Sequence, residues 1–406
     1  MNSSSQSPSN KEILADKIGS TVKEFICNHK LAGAVTITAH RGSIVQFDAQ
    51  GLRDMSNNFP MERDTIFRSY SMTKPVGSVA LLTLYERCLI DLEAPASEYL
   101  PDLEGLKVVV NPDQDTLNLV DQIQPLTVID LMRHTAGMPG AAQYLNGSRK
   151  LDKVYREAGL TNSMAKLNLE EIIKNIGKIP LMYQPGTKWH YSLGADILGR
   201  LVEVVSGKFF DEFLTEHIFV PLGMDDTDFF VPPEKLGRFA AMHGPNEKGG
   251  LKVIDAPQGG TAVKGNFSKR PAFLSNGGGL VSTASDFMRF CLMLSNGGIF
   301  EGAKILNKES VQLLMQNHLP EHLVPIDKLP QERYAGLGFG LGVSVRVQPS
   351  KWSPESQIGE CGWIGGASTE FWISPQHELI SITLAQNIPF VNLSPAIKPL
   401  VYKFVI

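Results

Sequence analysis

Strand-like sequence lies at both ends of this chain, with helix-like sequence between. Near the start, GAVTITAHRGSIVQFDAQG (Gly33 to Gly51) holds two β-rich runs around the turn signal Arg41-Gly42, which reads as a hairpin. In the last third, YAGLGFGLGVSVRV, GASTEFWIS and LISITLAQN alternate and are rich in β-branched residues. From about Met72 to about residue 270 the pattern is mostly helical, interrupted by long loops. LTVIDLMRHTAG, LEEIIKNIG and GADILGRLVEVVSGKFFDEFL are its clearest helices, and several end at glycine, as C-caps do.

The economical arrangement is an α+β fold in which one antiparallel sheet is built from both chain ends. The terminal amphipathic helices, EILADKIGSTVKEFICNHK and PAIKPLVYKFVI, would face that sheet. The expected division is a disordered tail at 1–10, a sheet lobe from 11–75 and 275–406, and a mainly helical lobe from 76–274. The site would lie in the cleft between the lobes.

Other readings can be set aside on composition. The chain has 406 residues, a net charge of −4 and no basic block, so nucleic acid is not an expected partner. No run of about 18 apolar residues occurs, so no membrane span is expected. The polar start MNSSSQSPSNKEI has neither a basic nor an apolar leader region, which points to the cytoplasm. Cys27, Cys88, Cys291 and Cys361 are scattered, so four reduced thiols are expected, with Cys361 in a packing role. The nine histidines show no metal-ligand spacing, and neither a metal nor another cofactor is expected. The glycine-dense GLGFGLG does not fit a phosphate loop and reads as strand or bulge.

Ser-x-x-Lys occurs three times, as Ser20/Lys23, Ser71/Lys74 and Ser163/Lys166. Pro75 sets the second apart. Its ring clashes with the carbonyl four residues back, that of Ser71, so a helix containing Pro75 must begin near Ser71. Ser71 and Lys74 then share one face at a helix N-terminus. There the outward N–H of Ser71 and the positive end of the helix dipole favour developing negative charge. A serine hydroxyl still needs a base, and a lysine serves if burial lowers its pKa. Two weaker signals lie downstream. Tyr191 precedes a confident helix in GTKWHYSLGADILG, with His190 beside it. In GECGWIGGAST, Trp363 precedes Gly365-Gly366, leading into an edge-like strand where a ligand carbonyl could approach the backbone.

Ser71-x-x-Lys74, then Tyr191 about 120 residues on, then Trp363-Ile364-Gly365, resemble the serine β-lactamase and penicillin-binding-protein superfamily. The closer match is the class C-like branch, whose second motif begins with tyrosine. LMRHTAGMPG, FVPLGMDDT and NGGGLVSTASDFMRF look like that branch too. Two departures matter. The second motif is Tyr191-Ser192-Leu193, so the Asn that would hold a β-lactam amide is absent. Trp363 stands where Lys or His would help bind a substrate carboxylate. A Trp-x-Gly third motif resembles the family VIII carboxylesterases.

The resemblance implies a hydrolase of small or medium esters, with Ser71 as nucleophile and Lys74 and Tyr191 as a coupled base. The N–H groups of Ser71 and Gly366 would form the oxyanion hole, and Trp363, Gly365 and Leu193 would shape the substrate site. Its rivals are a β-lactamase or D-amino acid peptidase, an acyltransferase, and a non-catalytic binding protein on the same scaffold.

Overall fold

The computed structural model describes residues 9–114, 116–256, 267–326 and 334–406. The first helix, Asn10–Cys27, starts inside the expected tail. Ser9 caps it through a reciprocal pair of bonds with Glu12, which satisfies N–H groups that a helix start leaves bare. The rest of the expected tail, 1–8, lies outside the described residues.

One eight-stranded sheet carries the fold. Its spatial order is Leu337–Phe339, Ser344–Arg346, Cys361–Gly365, Thr369–Ser374, Leu379–Ala385, Gly33–His40, Ser43–Asp54 and Phe59–Pro60. Every pairing is antiparallel. The two chain ends meet at the ladder Val35↔Leu384 and Ile37↔Ile382. The expected hairpin turns at Arg41 and Gly42, both left-handed (φ 49° and 73°), a turn whose twist suits the flanking strands.

Alternation sorts the sheet's side chains into two cores. Ala34, Trp372 and Leu379 pack against Leu14, Ile18 and Val22 of the first helix and Ile397 and Val401 of the last, Ser394–Val405. Val35, Ile37, Phe371 and Ile382 face the other way, toward Phe287 and Phe290 of the helix Ala284–Ser295 and the large core beyond.

The segment between the strands is chiefly helical, with the short hairpin Met242–Pro245/Leu251–Asp255 added. Two helices are shorter than their patterns suggest. LTVIDLMRHTAG forms a helix only over Val128–Met132, because His134 turns left-handed at φ 60°. GADILGRLVEVVSGKFFDEFL divides into Gly194–Ser206 and Phe210–Leu214, because Gly207 takes φ 71° and ends the first as a C-cap. The strand Thr369–Ser374 is not at an edge. It is paired on both sides, by Cys361–Gly365 and Leu379–Ala385. Among the described residues no helix is long and apolar enough to cross a membrane.

Candidate active site

The turn that presents Ser71 is backbone-strained. A tight 3-10 turn, Tyr70–Met72, leads into the helix Thr73–Glu86, with Pro75 as its third residue. Tyr70 sits at φ 46°, a region a bulky residue enters only when its surroundings force it. The helix is buried along nearly all its length, which fixes the direction in which the turn points.

Three groups converge on the half-buried Ser71. The Tyr191 hydroxyl donates to Ser71 Oγ at 2.6 Å, and Lys74 Nζ donates to the same oxygen at 3.1 Å. The Gly277 carbonyl lies 3.4 Å from Ser71 Oγ and accepts from Lys74 Nζ at 2.5 Å. Lys74 Nζ also sits 4.6 Å from the centre of the Tyr191 ring. Lys74 is only 4% exposed. Burial disfavours its charge and lowers its pKa to about 8, against the opposing pull of the Asp196 carboxylate. Asp196 Oδ1 accepts from Ser275 Oγ at 2.6 Å and from the Gly277 N–H at 2.7 Å. It therefore both offsets the lysine's burial and holds the peptide that holds the lysine.

The paired strands Cys361–Gly365 and Thr369–Ser374 dock onto the Ser71 turn. Thr369 Oγ1 donates to the Ser69 carbonyl at 3.2 Å. Gly365 lies so close that a Cβ there would sit 2.3 Å from the Ser69 oxygen and 2.1 Å from Thr369 Oγ1. Gly365→Ala should therefore push the strand off the turn, costing about 1–3 kcal/mol of stability together with activity. Denaturant unfolding with the wild-type midpoint would contradict this packing. Gly366, the next residue, is exposed and has open space where a side chain would be.

Aromatic rings enclose Tyr191. Trp363, 5% exposed, has its ring centroid 5.6 Å from Tyr191, 5.2 Å from Phe339 and 6.4 Å from Tyr334. Trp189 stacks on Tyr191 at 6.4 Å and contacts Phe339 at 5.4 Å. The wall beside Ser71 thus offers apolar faces where a lysine or histidine would offer charge.

The remaining sequence candidates are dispersed. Leu193 starts the helix Gly194–Ser206, buried in the core, with its N–H bonded to the Pro139 carbonyl at 3.0 Å. His190 turns to Gln143, with Nε2 at 3.3 Å from Oε1, and burial holds its pKa down at about 4. Ser20 and Lys23 are exposed on the first helix. Ser163 and Lys166 fall in a 3-10 turn, where the Ser163 side chain lies outside the described residues. Cys361 is buried with its thiol pKa raised by burial, which makes it a poor nucleophile. Among the described residues no cluster of three His, Cys, Asp or Glu could hold a metal.

Sequence reasoning missed Gly277, Asp196, His134 and Phe339. For the first two the trace is glycine at tight approaches, which the sequence does not connect to one another. Gly77 inside the helix Thr73–Glu86 would place a Cβ 2.0 Å from Asn276, and Gly277 would place one 2.7 Å from Asp196. The glycines of NGGGLVST thus mark a loop pressed against that helix.

The chain as a whole is similar to known proteins. The chain is 29% identical over 385 residues to protein Rv1367c of Mycobacterium tuberculosis, covering 93% of this chain and 91% of that one. It is 28% identical over 401 residues to esterase EstB of Burkholderia gladioli, covering 94% and 92%. The solved structure of EstCE1, described as a hydrolase with promiscuous acyltransferase activity, shares the fold. Its TM-score is 0.81 at 22% identity, over 97% of this chain and 99% of that one. The beta-lactamase family model matches residues 18–390, so the chain belongs to the β-lactamase family.

Proposed function

We propose that the protein is a serine hydrolase of uncharged carboxylic esters, working through an acyl-enzyme on Ser71. The observation that carries this is the convergence of Tyr191 OH and Lys74 Nζ on Ser71 Oγ, at 2.6 and 3.1 Å. The family membership and the esterase among its relatives support the reaction class.

As Ser71 Oγ attacks the ester carbonyl, its proton passes to the Lys74/Tyr191 pair. The carbonyl oxygen takes up the electron pair, and the N–H groups of Ser71 and Gly366 receive it. Collapse breaks the bond to the alcohol, which leaves with a proton returned by Tyr191. Water then repeats the sequence on the acyl-enzyme, releasing the acid and restoring the Ser71 hydroxyl. An alcohol in place of water gives acyl transfer, the second activity named for EstCE1.

Leu193 and Trp363 favour esters over β-lactams. Leu193 has no amide to hold a lactam side chain, and Trp363 has no positive charge for a substrate carboxylate. The surface thiols Cys27 and Cys88 suit a reducing compartment, and we place the enzyme in the cytoplasm on that ground.

The test is a panel of p-nitrophenyl esters of rising acyl length, run beside nitrocefin. Ester kcat/KM should exceed that for nitrocefin by ~10²-fold or more, the discrimination a missing polar partner supplies. Comparable rates would point to a β-lactamase. A fluorescent phosphonate that left Ser71 unlabelled would point to a binding protein.

A further inference from the structure

Tyr191 lies between two N–H groups that the same residue receives. The His134 carbonyl accepts from the N–H of His190 at 2.8 Å, and His134 Nδ1 accepts from the N–H of Ser192 at 3.4 Å. The imidazole meanwhile lies against the Tyr191 ring, with centroids 4.7 Å apart and planes at 54°. Trp189 and Phe339 close on the imidazole from 5.9 and 5.3 Å. His134 serves both neighbours of Tyr191 from a left-handed backbone, at φ 60°. Histidine enters that region more readily than most residues. It is 1% exposed, buried behind Tyr191, Trp189 and Phe339.

We propose that His134 is a positioning residue that sets the Tyr191 hydroxyl against Ser71, on the reading of Tyr191 as part of the base pair. Its carbonyl and ring nitrogen fix the backbone on either side of Tyr191, and its ring face fixes the phenol's tilt. The role requires a bare Nδ1 and therefore the tautomer with its proton on Nε2. Burial and the nearby positive charge of Lys74 hold the imidazole neutral, consistent with that requirement.

A mutant cycle with p-nitrophenyl butyrate tests the idea. His134→Ala should lower kcat by ~10²-fold with KM changed less than about threefold, the penalty of a misplaced group on an intact binding site. His134→Asn supplies an acceptor and tolerates positive φ, so it should recover to within about tenfold of wild type. In a Tyr191→Phe background, His134→Ala should cost less than about threefold more, because its effect runs through the missing hydroxyl. Losses that multiply would overturn the proposal, as would equal impairment of the Ala and Asn variants. If the alanine variant does not fold, imidazole nitrogen NMR of the wild-type protein decides. Nδ1 should stay unprotonated from about pH 6 to 9, and an Nδ1–H signal would rule the role out. A Tyr191→Phe enzyme of full activity would refute the base-pair reading itself, a result separable from failed coupling to His134.

Discussion

Ser71→Ala should lower p-nitrophenyl butyrate turnover by at least ~10³-fold, with little change in unfolding midpoint. The size follows from what the hydroxyl does. Without Oγ there is no acyl-enzyme, and only the oxyanion donors and the shaped pocket remain to act on bound ester. Stability should hold because Oγ is half-buried and its partners keep others: Lys74 still reaches the Gly277 carbonyl, and Tyr191 remains among its rings. The same variant should resist a fluorescent phosphonate. Residual turnover above a few per cent would move the nucleophile elsewhere.

Lys74→Ala and Tyr191→Phe should each reduce kcat/KM by ~10²–10⁴-fold, and the double variant should be little worse than the poorer single one. Both side chains bond one oxygen and contact each other, so each alone leaves the proton without its route. Multiplying losses would mean two independent functions. The pH profile carries a related signature. Burial brings the Lys74 pKa from 10.5 to about 8, so its neutral, accepting form grows as pH rises through that value. Acylation should therefore climb between about pH 7 and 9 and then level. A rate falling over that interval would identify a general acid in place of the base.

Pro75 made the helix Thr73–Glu86 legible, because a proline's steric demand is local and points back to Ser71. The sheet was legible from period-two runs, and its two-ended construction from where those runs fall. The network behind Lys74 was not. Asp196 looks like an ordinary acidic residue in a helix's first turn, and the Gly277 carbonyl belongs to every residue type alike. Their roles arise from an approach between segments about 80 residues apart, which no local pattern encodes. His134 was hidden for a related reason. Its pattern continued the helix LTVIDLM, and only the left-handed turn reveals that the ring leaves that helix to meet Tyr191.

The ladder joining Gly33–His40 to Leu379–Ala385 has a consequence for biosynthesis. The first hairpin and the helix Thr73–Glu86 leave the ribosome early, but the strands that complete the sheet come from the last part of the chain. Until then Gly33–His40 exposes a bare, β-branched edge of the kind that pairs with other chains. Closure across so long a separation is also intrinsically slow. A nascent chain stalled before Cys361 would carry Ser71, Lys74 and Tyr191 but lack the strand that docks on their turn. Completion of the Ser71 site therefore waits on the last strands of the chain.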